Sequence, residues 1–102
     1  MLFRSAVSVT GSSDERLKTN WRNLDVSIEQ IASIKSGVYD RLDHEVTQVG
    51  VSAQSLAEIL PEAVLTDADG MMSVAYGNAA LALVVELAKK VVQLEARLNE
   101  RG

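Results

Sequence analysis

"AYGNAALALVVELAKKVVQLEARLNE", residues 75–100, has no proline and no glycine beyond Gly77, and consists mostly of Ala, Leu, Val, Glu, Lys and Gln. Apart from valine these are strong helix formers, and the run predicts one long helix from Tyr76 to Asn99. Along it Ala80, Val84, Leu87, Val91, Leu94 and Leu98 recur at spacings of 4, 3, 4, 3 and 4, the a/d seam of a coiled coil. Leu81, Val85, Ala88 and Val92 form a second apolar stripe beside it. Two adjacent stripes need two partners. One stripe can pack on its own domain, and in a chain of 102 residues few helices remain to cover the other. A parallel homo-oligomer is the economical solution. Valines at a with leucines at d favour a dimer, but Ala80 at d and Leu98 at a depart from that rule, so the seam leaves the number of strands open. The charged residues of the run read as a solvated face with helix-supporting pairs such as Glu86 with Lys90.

Working back from this helix, "EAVLTDADGMMSVAY" reads as a hairpin turning at Asp69-Gly70, with Met71 and Met72 as hairpin packing. "AQSLAEIL" predicts a short helix that stops before Pro61. Val38, Tyr39, Val46, Thr47, Val49 and Val51 favour strands, and the polar "DRLDHE" between them, with His44 solvated, suits a turn or loop. Leu24, Ile28, Ile31 and Ile34, spaced 4, 3 and 3, predict a helix from near Asp25 to "KSG" at Gly37, with Trp21 ahead of it as a packing anchor. "LFRSAVSV" reads as a strand from Leu2 to Val9. The fold class is therefore mainly α with small β-hairpins.

Composition narrows the function. A net charge of −4 without a basic block argues against nucleic acid as a partner. There is no cysteine and one histidine, so thiolate chemistry and His-based metal clusters are not expected, and the acids show no metal-ligand spacing. No apolar run reaches the ~18 residues of a membrane span, and the first ten residues do not read as a signal peptide.

The densest cluster of reactive side chains is "GSSDERLKTN", residues 11–20. Ser12 with Glu15 three residues on fits a capping box, with Asp14 and Glu15 favouring the positive end of a helix. The same cluster offers a serine nucleophile and an amine base in Ser13 and Lys18, five positions apart. On a continuous helix that spacing separates the side chains in angle. The pair needs Ser13 to lie before the helix, or Lys18 to come from a neighbouring subunit. The base must be the neutral amine; Arg16 nearby favours that form, and Asp14 or Glu15 paired with the lysine opposes it. Capping and catalysis are compatible.

Taken together, "SDERLKTN" at 13–20, "GVY" at 37–39, "VGVSAQSLAEILPEAV" at 49–64, Asp69-Gly70 and "VAYGNAALALVVELAKKVVQLEARL" at 74–98 resemble the C-terminal intramolecular chaperone domain of phage tail spikes and tail fibres, the endosialidase type also found in myelin regulatory factor. Ser55 and Ala75 depart from its usual pattern, which has an acidic residue after the Ala-Gln pair and an aspartate before the tyrosine. The resemblance implies a homotrimer whose long helices form a coiled-coil-like three-helix bundle. Residues 1–12 would end an upstream fibre or linker, and 13–102 would be the chaperone domain. It implies a self-cleaving serine peptidase with Ser13 as nucleophile and Lys18 as base, acting once between Ser12 and Ser13 without a cofactor. The precursor would assemble in the host cytoplasm as part of a virion tail fibre, and the domain would be released. A permanently attached trimeric cap and a helical adaptor without activity are the alternatives.

Overall fold

The computed structural model describes residues 12–101, so the strand expected at Leu2–Val9 lies outside the described residues. Within them the chain forms three α-helices and two separate two-stranded antiparallel sheets. The elements run α1 (Ile28–Ala32), β1 (Ser36–Asp40), β2 (Thr47–Val51), α2 (Ala53–Ala57), β3 (Val64–Thr66), β4 (Met72–Val74) and α3 (Tyr76–Arg101), with single 3-10 turns at Glu15–Leu17 and Pro61–Ala63.

The first hairpin pairs Val38 with Val49 and Gly37 with Gly50. Its loop is closed by the Arg41 N–H donating to the Val46 carbonyl (3.0 Å), and Thr47 Oγ1 donates to Asp40 at 2.8 Å. The second hairpin turns through Gly70 at φ +84°, a left-handed conformation that glycine adopts without steric cost. There the Asp67 carboxylate accepts from the N–H groups of Asp69 and Met71, which fixes the turn by its own side chain.

Leu56, Leu60, Ala63 and Ala79 form the buried core, with Leu24, Ile34, Ile59, Val64, Val74 and Leu83 packed around it. Burial of a leucine such as Leu56 stabilises by roughly 1.5–3 kcal/mol relative to exposure. Helix α2 delivers Leu56, and Pro61 at the start of the following 3-10 turn redirects the chain so that Ala63 returns to the same centre. Ser52 caps α2 by accepting from the Ser55 N–H. The Ser55 hydroxyl donates to the Ser52 carbonyl and accepts from the Lys35 N–H at 3.0 Å, tying α2 to the strand entrance. A serine can thus hold this junction where an acid was expected.

Several expectations are corrected. The helix expected over 25–37 is only five residues long. Ser27 starts it with a full capping box to Gln30, and the Ser33 hydroxyl donates back to the Gln30 carbonyl where it ends. Val26 is buried ahead of it, outside the helical repeat. Trp21 is no packing anchor: it is 68% exposed, and Met71 is exposed as well.

The long helix is present and extends to Arg101, about 39 Å at 1.5 Å per residue. The face it turns to its own domain is neither of the two stripes seen in sequence. It is Ala79, Leu83 and Glu86, with Ala79 and Glu86 buried and Leu83 packed on the core. Glu86 therefore does not belong to a solvated face, and among the described residues it forms no ion pair with Lys90.

Candidate functional site

The segment around Ser13 is shaped by a single turn. Asp14 has extended backbone (φ −66°, ψ 126°) and caps the 3-10 turn Glu15–Leu17 by accepting from the Arg16 N–H; Asp14, not Ser12, is the cap. Its shorter reach to the second N–H suits a turn this tight. Lys18 closes the turn and is itself extended (φ −125°, ψ 144°). Ser13 thus precedes the helical turn and Lys18 follows it, and their side chains meet across it. Lys18 Nζ lies 2.6 Å from Ser13 Oγ, within one chain.

The charges around the pair are sorted. Arg16 binds the Asp14 carboxylate through Nε (3.1 Å) and Nη2 (2.9 Å). This guanidinium, with the Arg16 backbone N–H, holds the Asp14 carboxyl below its ordinary range. The ion pair is exposed and contributes little to stability. Its local consequence is that Asp14 is engaged with Arg16, so the hydrogen-bond partner of the lysine is an uncharged hydroxyl.

Lys18 Nζ also sits over the Trp21 ring, 5.7 Å from its centre. Lys18, Thr19, Asn20 and Trp21 line a shallow, open hollow of about 370 Å³ together with Leu24, Leu60 and Glu62. The hollow joins the loop to the core through Leu60. Trp21 was not read as part of this site. The one signal for it was its position three residues after Lys18.

The heptad residues lie on a different surface. Ala80, Val84, Leu87, Val91, Leu94 and Leu98 are all exposed along α3, and so are Leu81, Val85, Ala88 and Val92. A row of large apolar side chains in water over five turns exceeds what a monomeric surface ordinarily carries.

The Ser13–Lys18 distance permits proton exchange between hydroxyl and amine. The same 2.6 Å contact serves an ammonium donating to the serine or a serine donating to a neutral amine.

No solved structure matches this chain. Over 106 aligned residues it is 30% identical to the long tail fiber protein Gp37 of Enterobacteria phage K3 and equally to that of Enterobacteria phage T2. Each alignment takes in 92% of this chain and 8% of the relative, so the chain spans a small fraction of the length of those proteins. Residues 13–65, from the nucleophile candidate through both short helices to the first strand of the second hairpin, match Peptidase_S74, chaperone of endosialidase, and the chain belongs to that family.

Proposed function

We propose that this chain is the intramolecular chaperone of a phage tail fibre or tail spike, which trimerises through α3, assists folding of the domain upstream of it in the same polypeptide, and then cuts itself off between Ser12 and Ser13. The observation that carries this reading is the 2.6 Å contact between Ser13 and Lys18 at the point where the family match begins. The fibre proteins of the phage relatives and the uncovered stripe of α3 support the partner and the assembly state.

In the reaction, Lys18 Nζ as neutral amine takes the proton of Ser13 Oγ. The freed electron pair forms a bond to the Ser12 carbonyl carbon. Collapse of the tetrahedral adduct breaks the bond from that carbon to the Ser13 nitrogen, which receives the proton back from Lys18. The product is an ester between Ser12 and the Ser13 side chain. Water then opens it, leaving a Ser12 carboxylate and a free Ser13 hydroxyl and amine. Ser13 and Lys18 are exposed in the single chain. Removal of water disfavours the charged form of an amine. Covering of this loop by neighbouring copies would activate the base and make cutting follow assembly.

The purpose is kinetic. A fibre dominated by non-local strand pairing folds slowly, and loss of its assisting domain leaves durability to the unfolding rate. The test is a chain that includes the native upstream domain, followed on a denaturing gel. Wild type and Ser12→Ala should release a fragment of residues 13–102. Ser13→Ala, which lacks the hydroxyl, and Lys18→Arg, which keeps the charge but cannot readily become a neutral base, should stay intact while still forming trimers. Processing of Ser13→Ala at the normal rate would end the serine-nucleophile reading. An uncut wild-type trimer would make the domain a permanent cap.

A further inference from the structure

We infer that Trp21 is a positioning residue for Lys18, its ring face holding the resting ammonium beside Ser13; this rests on the Ser13–Lys18 reading above. Three observations carry it. First, the Lys18 amine has two neighbours, Ser13 Oγ at 2.6 Å and the Trp21 ring centre at 5.7 Å, the latter within the ~6 Å over which an aromatic face attracts a cation. Second, Trp21 is 68% exposed, so burial in its own core does not account for where the ring stands. Third, the backbone is turned to put it there. Asn20 has φ +56°, the left-handed region, where asparagine is one of the few side-chain-bearing residues commonly found. Arg22 Nη1 donates to the Asn20 carbonyl at 3.0 Å and bridges that turn.

A lysine has a long, rotamer-rich stem, and one hydrogen bond to a hydroxyl does not fix its direction. The indole supplies a second, non-hydrogen-bonding surface that leaves the nitrogen lone pair free for the serine proton. The ring attracts the ammonium form and so orients the resting lysine; generating the neutral base is left to the covering of the loop. An aliphatic residue of similar bulk would fill the space and supply no such face.

The experiment compares cleavage rates of the chain with its native upstream domain, as wild type, Trp21→Phe and Trp21→Leu, with sedimentation as the control for assembly. Trp21→Leu should cut about fivefold more slowly at unchanged assembly, and Trp21→Phe should stay within about twofold of wild type. A Trp21→Leu protein that cuts at the wild-type rate overturns the inference, as does Trp21→Phe slowed as much as Trp21→Leu. The contact itself is read separately. The 102-residue chain has one tryptophan, so its fluorescence reports this ring alone. Lys18→Met should change the emission, and an unchanged spectrum overturns the contact. Cutting that persists in Ser13→Ala would instead remove the serine-nucleophile reading, and the emission result would still decide whether Trp21 holds Lys18.

Discussion

Two faces of helix α3 differ in composition and meet opposite surroundings. Ala79, Leu83 and Glu86 are turned to the core, whereas Val84, Leu87, Val91, Leu94 and Leu98 stand in water. The covered face is the less hydrophobic one. It holds Ala79, which packs with Leu56, Leu60 and Ala63, and Leu83 against them, and it buries Glu86, which leaves no fully enclosed carboxylate oxygen unpaired. The open face carries the large side chains. Internal packing uses Ala79, Leu83 and Glu86 and leaves the strongly apolar stripe exposed.

The proposed trimer makes the two faces respond differently to damage. The largest effect is expected from Leu94→Asp on the open face, which would bury three carboxylates against symmetry mates. Sedimentation should show loss of the trimer, with the hairpins and the core still folded by amide exchange. An unchanged trimer would break the seam assignment. Leu56→Ala strikes the other region. It should cost about 2–5 kcal/mol in denaturant unfolding, because it opens a cavity at the centre of the core. Equal sensitivity of core folding to both substitutions would erase the distinction between the faces.

Gly50→Ala sharpens the same comparison at the base of the helix. A methyl group there would stand 2.5 Å from the Tyr76 hydroxyl oxygen, which accepts from the Val51 N–H at 3.2 Å. The tyrosine would have to move, loosening the first hairpin from α3 at a cost of about 1–3 kcal/mol. A melting temperature equal to wild type would show that hairpin and helix are not coupled there. The smallest effect is a gain. Ala75 occupies the position before α3, and its carbonyl accepts from the Ala79 N–H at 2.9 Å, but alanine has no oxygen with which to cap. Ala75→Asp should stabilise the helix start by about 1 kcal/mol, read as a higher unfolding midpoint.

Much of this architecture was legible because local chemistry dictated it. Asp69-Gly70 needs a left-handed turn residue and has one, Pro61 ends a helix wherever it stands, and an unbroken run from Tyr76 has no residue able to stop it. The errors fall where tertiary packing chose among local options. Leu24, Ile28, Ile31 and Ile34 have helical spacing, and Leu24 and Ile34 do pack on the core, yet Val26 is buried from outside that pattern and serines at 27 and 33 bound the helix to five residues. Glu86 reads as polar, and periodicity cannot reveal that it faces the core. In the loop, Ser13 and Lys18 were visible as residue types, whereas the aromatic neighbour was not, because its place depends on a left-handed asparagine.

One property of that loop bears on timing. Ser13, Asp14, Arg16 and Lys18 lie within six residues of one another, and the turn between them is closed by its own bonds, from the Leu17 N–H to the Asp14 carbonyl and from the Lys18 N–H to the Glu15 carbonyl. Contacts of such short sequence separation can form within microseconds, before distant parts of the chain have come together. The serine and the lysine would therefore meet on the nascent polypeptide, long before a slow fibre has wound. Proximity is present from the start, so it cannot act as the clock. On the proposed reading, in which cutting follows assembly, the delay comes instead from the arrival of the other copies.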